Sequence, residues 1–81
     1  MNKIMAIKVN GRIANAPAVQ DVLTKYGCNI KTRVGFHEVN EDQCSTDGIL
    51  ILQLFGDDSE IQAMNSELLK IDGIIPKFIE F

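Results

Sequence analysis

The chain has 81 residues, 46% of them hydrophobic, and a formal net charge of −3. That length provides for one core and one domain, and a chain so short buries a smaller share of its surface than a longer one, so its stability is expected to be small unless a partner helps. The acidic balance argues against a nucleic-acid surface, because phosphate affinity rests on a concentrated basic patch.

The charges divide unevenly. Residues 1–33 hold six of the eight Lys/Arg and one acid, Asp21, whereas residues 34–81 hold two basic residues and ten acids. Such asymmetry can steer a partner, and it can equally let the two halves complement each other within one fold. Cys28 and Cys44 are too few for a secreted disulfide scaffold, and no signal peptide or membrane-spanning run is visible, so a reduced, cytoplasmic protein is expected.

In chain order, Met5, Ile7 and Val9 alternate with Ala6 and Lys8, the period of a strand with one preferred face. Residues Asn10 to Asn15 break that alternation, with Gly11 able to take positive φ and Asn15 suited to cap a helix. Val19, Val22, Leu23 and Tyr26 then form a helical stripe that Pro17 opens and Gly27 closes. Ile30, Thr32, Val34 and Phe36 alternate with Lys31, Arg33, Gly35 and His37 as a second strand, followed by an acidic loop from Val39 to Asp47.

The run Ile49 to Phe55 is apolar at almost every position and reads as a central strand. Asp57 and Glu60 have the spacing of a capping box for a second helix, whose stripe is Ile61, Met64, Leu68 and Leu69 and whose end is Gly73. The last strand runs from Ile74 to Phe81, at an edge, because Pro76 has no N–H to give and leaves its place in the ladder unpaired. The order βαββαβ predicts an α+β, ferredoxin-like fold over residues 1–81, with an antiparallel sheet of order 4-1-3-2 and both helices on one face.

If Leu50, Leu52 and Leu54 face the helices, Ile49, Ile51, Gln53 and Phe55 face away from them, beside Ile4 and Ala6. This is an apolar patch whose burial would be worth roughly 1.5–3 kcal/mol per large side chain, so association through the sheet is expected, as a homodimer or homotetramer. Snorkelling stems of Lys8, Arg33 and Lys77 are the alternative cover.

The loop from Gly11 to Asn15 precedes a helix N-terminus and could hold a carboxylate, while Arg33, next to a permissive Gly35, could clamp one. A lone His37 with Cys28 or Cys44 makes no catalytic set, so no enzyme activity and no cofactor are expected. His37, Glu41, Asp42 and Cys44 are a weaker metal-binding alternative.

The stretch Asn15-Ala16-Pro17-Ala18-Val19, with Val22-Leu23, Tyr26-Gly27 and Ile30, resembles the ACT and ACT-like regulatory domains, with Ala18 where those domains usually have glycine. Tyr26-Gly27, Ile30-x-x-Arg33-Val34-Gly35, Glu60-Ile61 and Asp72-Gly73-Ile74 are similar to a narrower group, small regulators of the iron-only hydrogenase system. The resemblance implies dimers or tetramers that take ligands between the first loop of one subunit and a strand of its neighbour, at Gly11, Asn15 and Arg33.

Overall fold

A computed structural model describes the backbone of residues 3–39 and 44–80 and, within these, the side chains outside 36–39 and 44–47. The elements are β1 (Lys3–Val9), α1 (Ala16–Lys25), a 3-10 turn (Gly27–Asn29), β2 (Ile30–Val39), β3 (Cys44–Leu54), α2 (Asp58–Leu69) and β4 (Ile74–Ile79). All neighbouring strands are antiparallel, in the order β2-β3-β1-β4, which read from the other edge is the expected 4-1-3-2. The fold is ferredoxin-like α+β.

Alternation sorts each strand into two faces. Met5 and Ile7 of β1, Leu52 and Leu54 of β3, and Ile74 and Pro76 of β4 are buried on the same side. They meet Val19 and Leu23 of α1 and Ile61, Met64 and Leu68 of α2 in one core, so both helices cover that face. Leu69, expected in the stripe, is 60% exposed, because one residue past Leu68 turns the side chain about 100° away from the sheet.

Four further details depart from the sequence reading. β2 runs to Val39 and β3 starts at Cys44, opposite it, so both ends of the expected loop from Val39 to Asp47 belong to strands, with an irregular register between His37 and Val39, and its residues 40–43 lie outside the described residues. Helix α1 stops at Lys25, and Gly27 begins the 3-10 turn. Helix α2 ends at Leu69, before Gly73, whose φ of 78° turns the chain into β4 and whose carbonyl accepts the Asn10 N–H at 2.8 Å. Pro76 keeps a place in the register opposite Ile7, and its missing donor is tolerated because β4 is an edge strand.

The capping box also forms differently. Asp57 is extended and precedes α2, but its side chain caps nothing. The Glu60 carboxylate instead accepts a hydrogen bond at 2.7 Å from Nδ2 of Asn29, the one buried polar residue among those described. A buried amide left without partners is costly, and Glu60 satisfies it.

Candidate functional site

Two surfaces concentrate the residues singled out above. The first is a cleft of about 480 Å3 where the start of α1 meets β1, β2 and β3. Asn15, in extended conformation, caps α1 by accepting the Ala18 N–H at 3.2 Å, and Pro17 sits in the first turn, where a helix N–H has no partner anyway. In the loop before it, the N–H groups of Arg12, Ile13 and Ala14 all donate to Asn10. Those amides hold the loop to itself. Gly11 is not among the glycines with positive φ.

Arg33 reaches this cleft because of a register shift. Ile30 is opposite Leu54 and Thr32 opposite Gln53, so Lys31 is the extra residue of a bulge. Beyond it Arg33 pairs with Leu52 and Gly35 with Leu50, on the helix side, whereas Thr32 and Val34 pair with Gln53 and Ile51 on the other. The unbroken alternation from Ile30 to Phe36 is therefore corrected: Ile30 belongs with the core, and Val34 with the open face.

The guanidinium of Arg33 donates through both Nη atoms to Oε1 of Gln20, each at 3.2 Å, and Gln20 Nε2 donates to Thr24 Oγ1 at 3.2 Å. Apart from Gln20 and Arg33 the described lining of the cleft carries no polar side chain, with Val9, Pro17, Val19 and Leu50 prominent. Gly11, Asn15 and Gly35 lie outside that lining, although Gly35 acts on it from behind. A Cβ on Gly35 would stand 2.8 Å from Leu50 Cδ2, closer than real side chains approach.

The second surface is the sheet face away from the helices. The register gives it three rows: Ile49-Lys8-Ile75 across β3, β1 and β4, and Val34-Ile51-Ala6-Lys77 and Thr32-Gln53-Ile4-Ile79 across β2, β3, β1 and β4. Ile4, Ala6, Ile49 and Ile51 are thus neighbours, as expected. The sequence reading missed Val34, Ile75 and Ile79, which are 53%, 52% and 40% exposed and extend the apolar area to both edges. A depression of about 330 Å3 lies beside the small Ala6, bordered by Ile49, Ile75, Lys8 and Lys77. Phe55 follows β3 and is exposed, but it lines a separate depression with Cys28 and Lys31.

Electrostatic contacts occupy the helical side. Lys3 pairs with Asp58 and lies over the Phe78 ring, 5.4 Å from its centroid. Glu67 of α2 accepts from Tyr26 Oη and from Lys25 Nζ, the latter at 3.1 Å to each carboxylate oxygen. The hydrogen bond from Tyr26, then that from Lys25, holds the Glu67 carboxyl below the usual range, and the same Glu67 contact pushes the Tyr26 hydroxyl upward. Among the described residues no three His, Cys, Asp or Glu gather into a metal-sized group. The alternative built on His37, Glu41, Asp42 and Cys44 falls outside the described side chains. Among the described residues no helix is long and apolar enough to cross a membrane.

No family model and no curated protein matches the chain. Among solved structures it is similar to an uncharacterized protein from Thermotoga maritima, at 28% identity and a TM-score of 0.81, over 96% of this chain and 92% of that one. CPII, a nitrogen regulatory PII-like protein from Thiomonas intermedia K12 bound to ADP, AMP and bicarbonate, matches at 11% identity and a TM-score of 0.59, over 99% and 91%. A formyltetrahydrofolate deformylase from Pseudomonas putida KT2440 matches at 8% identity and a TM-score of 0.61, over all of this chain but 29% of that one. At such identities the last two show the fold alone.

Proposed function

We propose that this chain is a non-catalytic regulatory domain of the ACT-like type, which self-associates through its open sheet face and responds to a small carboxylate ligand near Arg33. The observation that carries the reading is the open face: Ile4, Ala6, Ile49, Ile51, Ile75 and Ile79, with Val34, form one apolar surface on a single chain. A second copy is the occupant proposed for it. Ile51 stands opposite Ala6, beside the depression, so a two-fold arrangement would place the Ile51 of each copy over the hollow of the other, one patch serving both sides. Four strands about 4.8 Å apart and about 23 Å long give a planar footprint of roughly 440 Å2. That is modest against the roughly 800 Å2 of accessible surface per partner in a standard interface, so concentration-dependent association is expected of a dimer.

The regulatory part draws on the motif resemblance and on the fold's use by a PII-like regulator. Regulation of an iron-only hydrogenase system, in a reducing cytoplasm where the exposed thiol of Cys28 stays free, is its narrower form. A second reading has one observation in its favour: the face carries Lys8 and Lys77 and, among its described residues, no acid. An acidic, apolar surface of another protein would match it, whereas in a homodimer the lysine stems must carry their ammonium groups to the rim.

Sedimentation and light scattering over a concentration series test the proposal. The wild type is expected at a multiple of its monomer mass, and Ile51→Glu at the monomer mass with an unchanged circular dichroism spectrum. A wild type that stays monomeric at every concentration, or an Ile51→Glu protein of unaltered mass, would overturn self-association through this face.

A further inference from the structure

The Arg33 cleft has a chemistry narrower than the regulatory reading on which this inference rests. From that chemistry we infer that the cleft, within a single subunit, takes an aliphatic monocarboxylate and rejects the corresponding amino acid.

Three observations point there. The cleft has one charged group among its described residues, the Arg33 guanidinium, and no carboxylate. The guanidinium has five N–H donors, of which Gln20 takes two, and the remaining ones favour a carboxylate partner. Arg33 is also held in place: both Nη atoms meet Gln20 Oε1, and Gln20 is itself tied to Thr24 one turn along α1. A cation fixed before the ligand arrives loses little freedom on binding.

The remaining surface selects the group attached to the carboxylate. Val9, Ala16, Pro17, Val19 and Leu50 offer an apolar wall and no side-chain acceptor. The Oε1 of Gln20, the one side-chain amide oxygen in the described lining, is already shared by the two Nη groups. Against the described lining an α-ammonium group would have to leave water without a free side-chain acceptor, which is unfavourable. A hydrocarbon tail gains what the ammonium loses. The cleft's volume falls within the roughly 300–1,000 Å3 of small-molecule sites.

Gly35 explains why the space exists. Leu50 Cδ2 stands only 2.8 Å from where a Cβ at position 35 would be, so the absent side chain on β2 lets Leu50 lie closer to the strand than any other residue there would allow. Gly35→Ala therefore narrows the site from behind and leaves its charge intact.

Titration of 15N-labelled full chain with acetate, butanoate, hexanoate, 4-methylpentanoate, leucine and hexylammonium tests the inference. Affinity should rise about three- to fourfold per added methylene until the cleft is filled. 4-Methylpentanoate should bind at least tenfold more tightly than leucine, which differs by its ammonium group, and hexylammonium should not bind. The amide shifts should centre on Val19, Gln20 and Leu50. Arg33→Gln and Gly35→Ala should each weaken 4-methylpentanoate at least tenfold, the first without changing the methylene increment and the second by reducing it. Equal or tighter binding of leucine, or undiminished binding to Arg33→Gln, would overturn the inference. So would the absence of any cleft shift with every carboxylate, and in that case self-association, read separately from Ile51→Glu, would still stand or fall on its own.

Discussion

The two faces of the sheet are made by the same four strands, residue by residue in alternation, yet they have different fates. On one side Met5, Ile7, Leu52 and Leu54 are almost wholly shielded by α1 and α2. On the other, Ile51, Ile49 and Ile4 have comparable hydrophobicity and are only partly covered by their neighbours. Hydrophobicity alone does not distinguish the two sides; the location of the helices does. A half-covered sheet of this composition is a stable unit only if its inner face supplies most of the folding energy, and its outer face is free to drive association.

Adjacent residues of β3 test that division most directly. Leu52→Ala, on the covered face, should lower unfolding free energy by about 2–5 kcal/mol, the range for large buried aliphatic truncations that leave a cavity. Ile51→Ala, one residue away on the open face, should cost the dilute chain about 1 kcal/mol or less, with its larger effect appearing only as protein concentration rises. Urea denaturation at two concentrations a hundredfold apart separates them. Equal losses for both variants at both concentrations would erase the distinction between the faces.

A smaller loss is expected where the two sides of the sheet meet at one end. Asn29 donates from Nδ2 to the carbonyl of Phe55 at 3.1 Å and to Glu60, while its backbone carbonyl accepts the Phe55 N–H at 2.8 Å. The side chain thus ties the turn after α1 to the turn before α2. Gly56, with φ at 107°, leaves room for it, since a Cβ there would lie 2.7 Å from Asn29 Nδ2. Asn29→Ala should destabilise by about 1–3 kcal/mol, because two acceptors lose their donor in a partly shielded place. Unchanged thermal unfolding would show that water replaces the amide without cost.

The contrast between the faces was legible in the sequence to the extent that it is local. Alternation in β1 and β3 and the stripes through Val19-Leu23 and Ile61-Met64-Leu68 are short-range signals, and they suffice for the element order and the sheet order. The bulge at Lys31 is not local. Residues Ile30 to Phe36 alternate without a break, and only pairing with β3 reveals that Ile30 joins the core while Arg33 and Gly35 face the helices. Glu60 likewise has the spacing of a cap, but a buried Asn29, 31 residues earlier, outcompetes the helix end for its carboxylate. The cleft draws on β1, α1, β2 and β3, so no spacing within one segment could announce it. Ile75 and Ile79 could have been placed on the open face by carrying the β1 alternation across to β4.

The least effect is expected at the outer seam of the helices, and its sign sharpens the comparison. Glu67 is tied to Tyr26 and Lys25, with Lys70 adding a further favourable charge, and its folded carboxyl titrates below the usual range. Its contribution to stability is therefore complete above the unfolded value, about 4.3, and is lost as pH falls through the lower folded value. Tyr26 and Lys25 are shifted upward, principally by their hydrogen bonds to Glu67, so their contribution has the opposite sense: it is present below their ordinary values and lost as pH rises through the folded ones. The seam is thus closed between carboxylate and phenol titration and loosens at both ends. Because Lys25 is well exposed and Glu67 keeps 32% of its side chain in solvent, screening should keep the effect small. Thermal unfolding of Glu67→Gln should fall less steeply than the wild type between about pH 5 and pH 3. The open face has no carboxylate among its described residues, so the association constant of Glu67→Gln should track that of the wild type through the same acid range. Parallel unfolding curves for the two proteins would mean that the seam contributes nothing, and a divergence in association would mean that the two faces of the sheet are coupled.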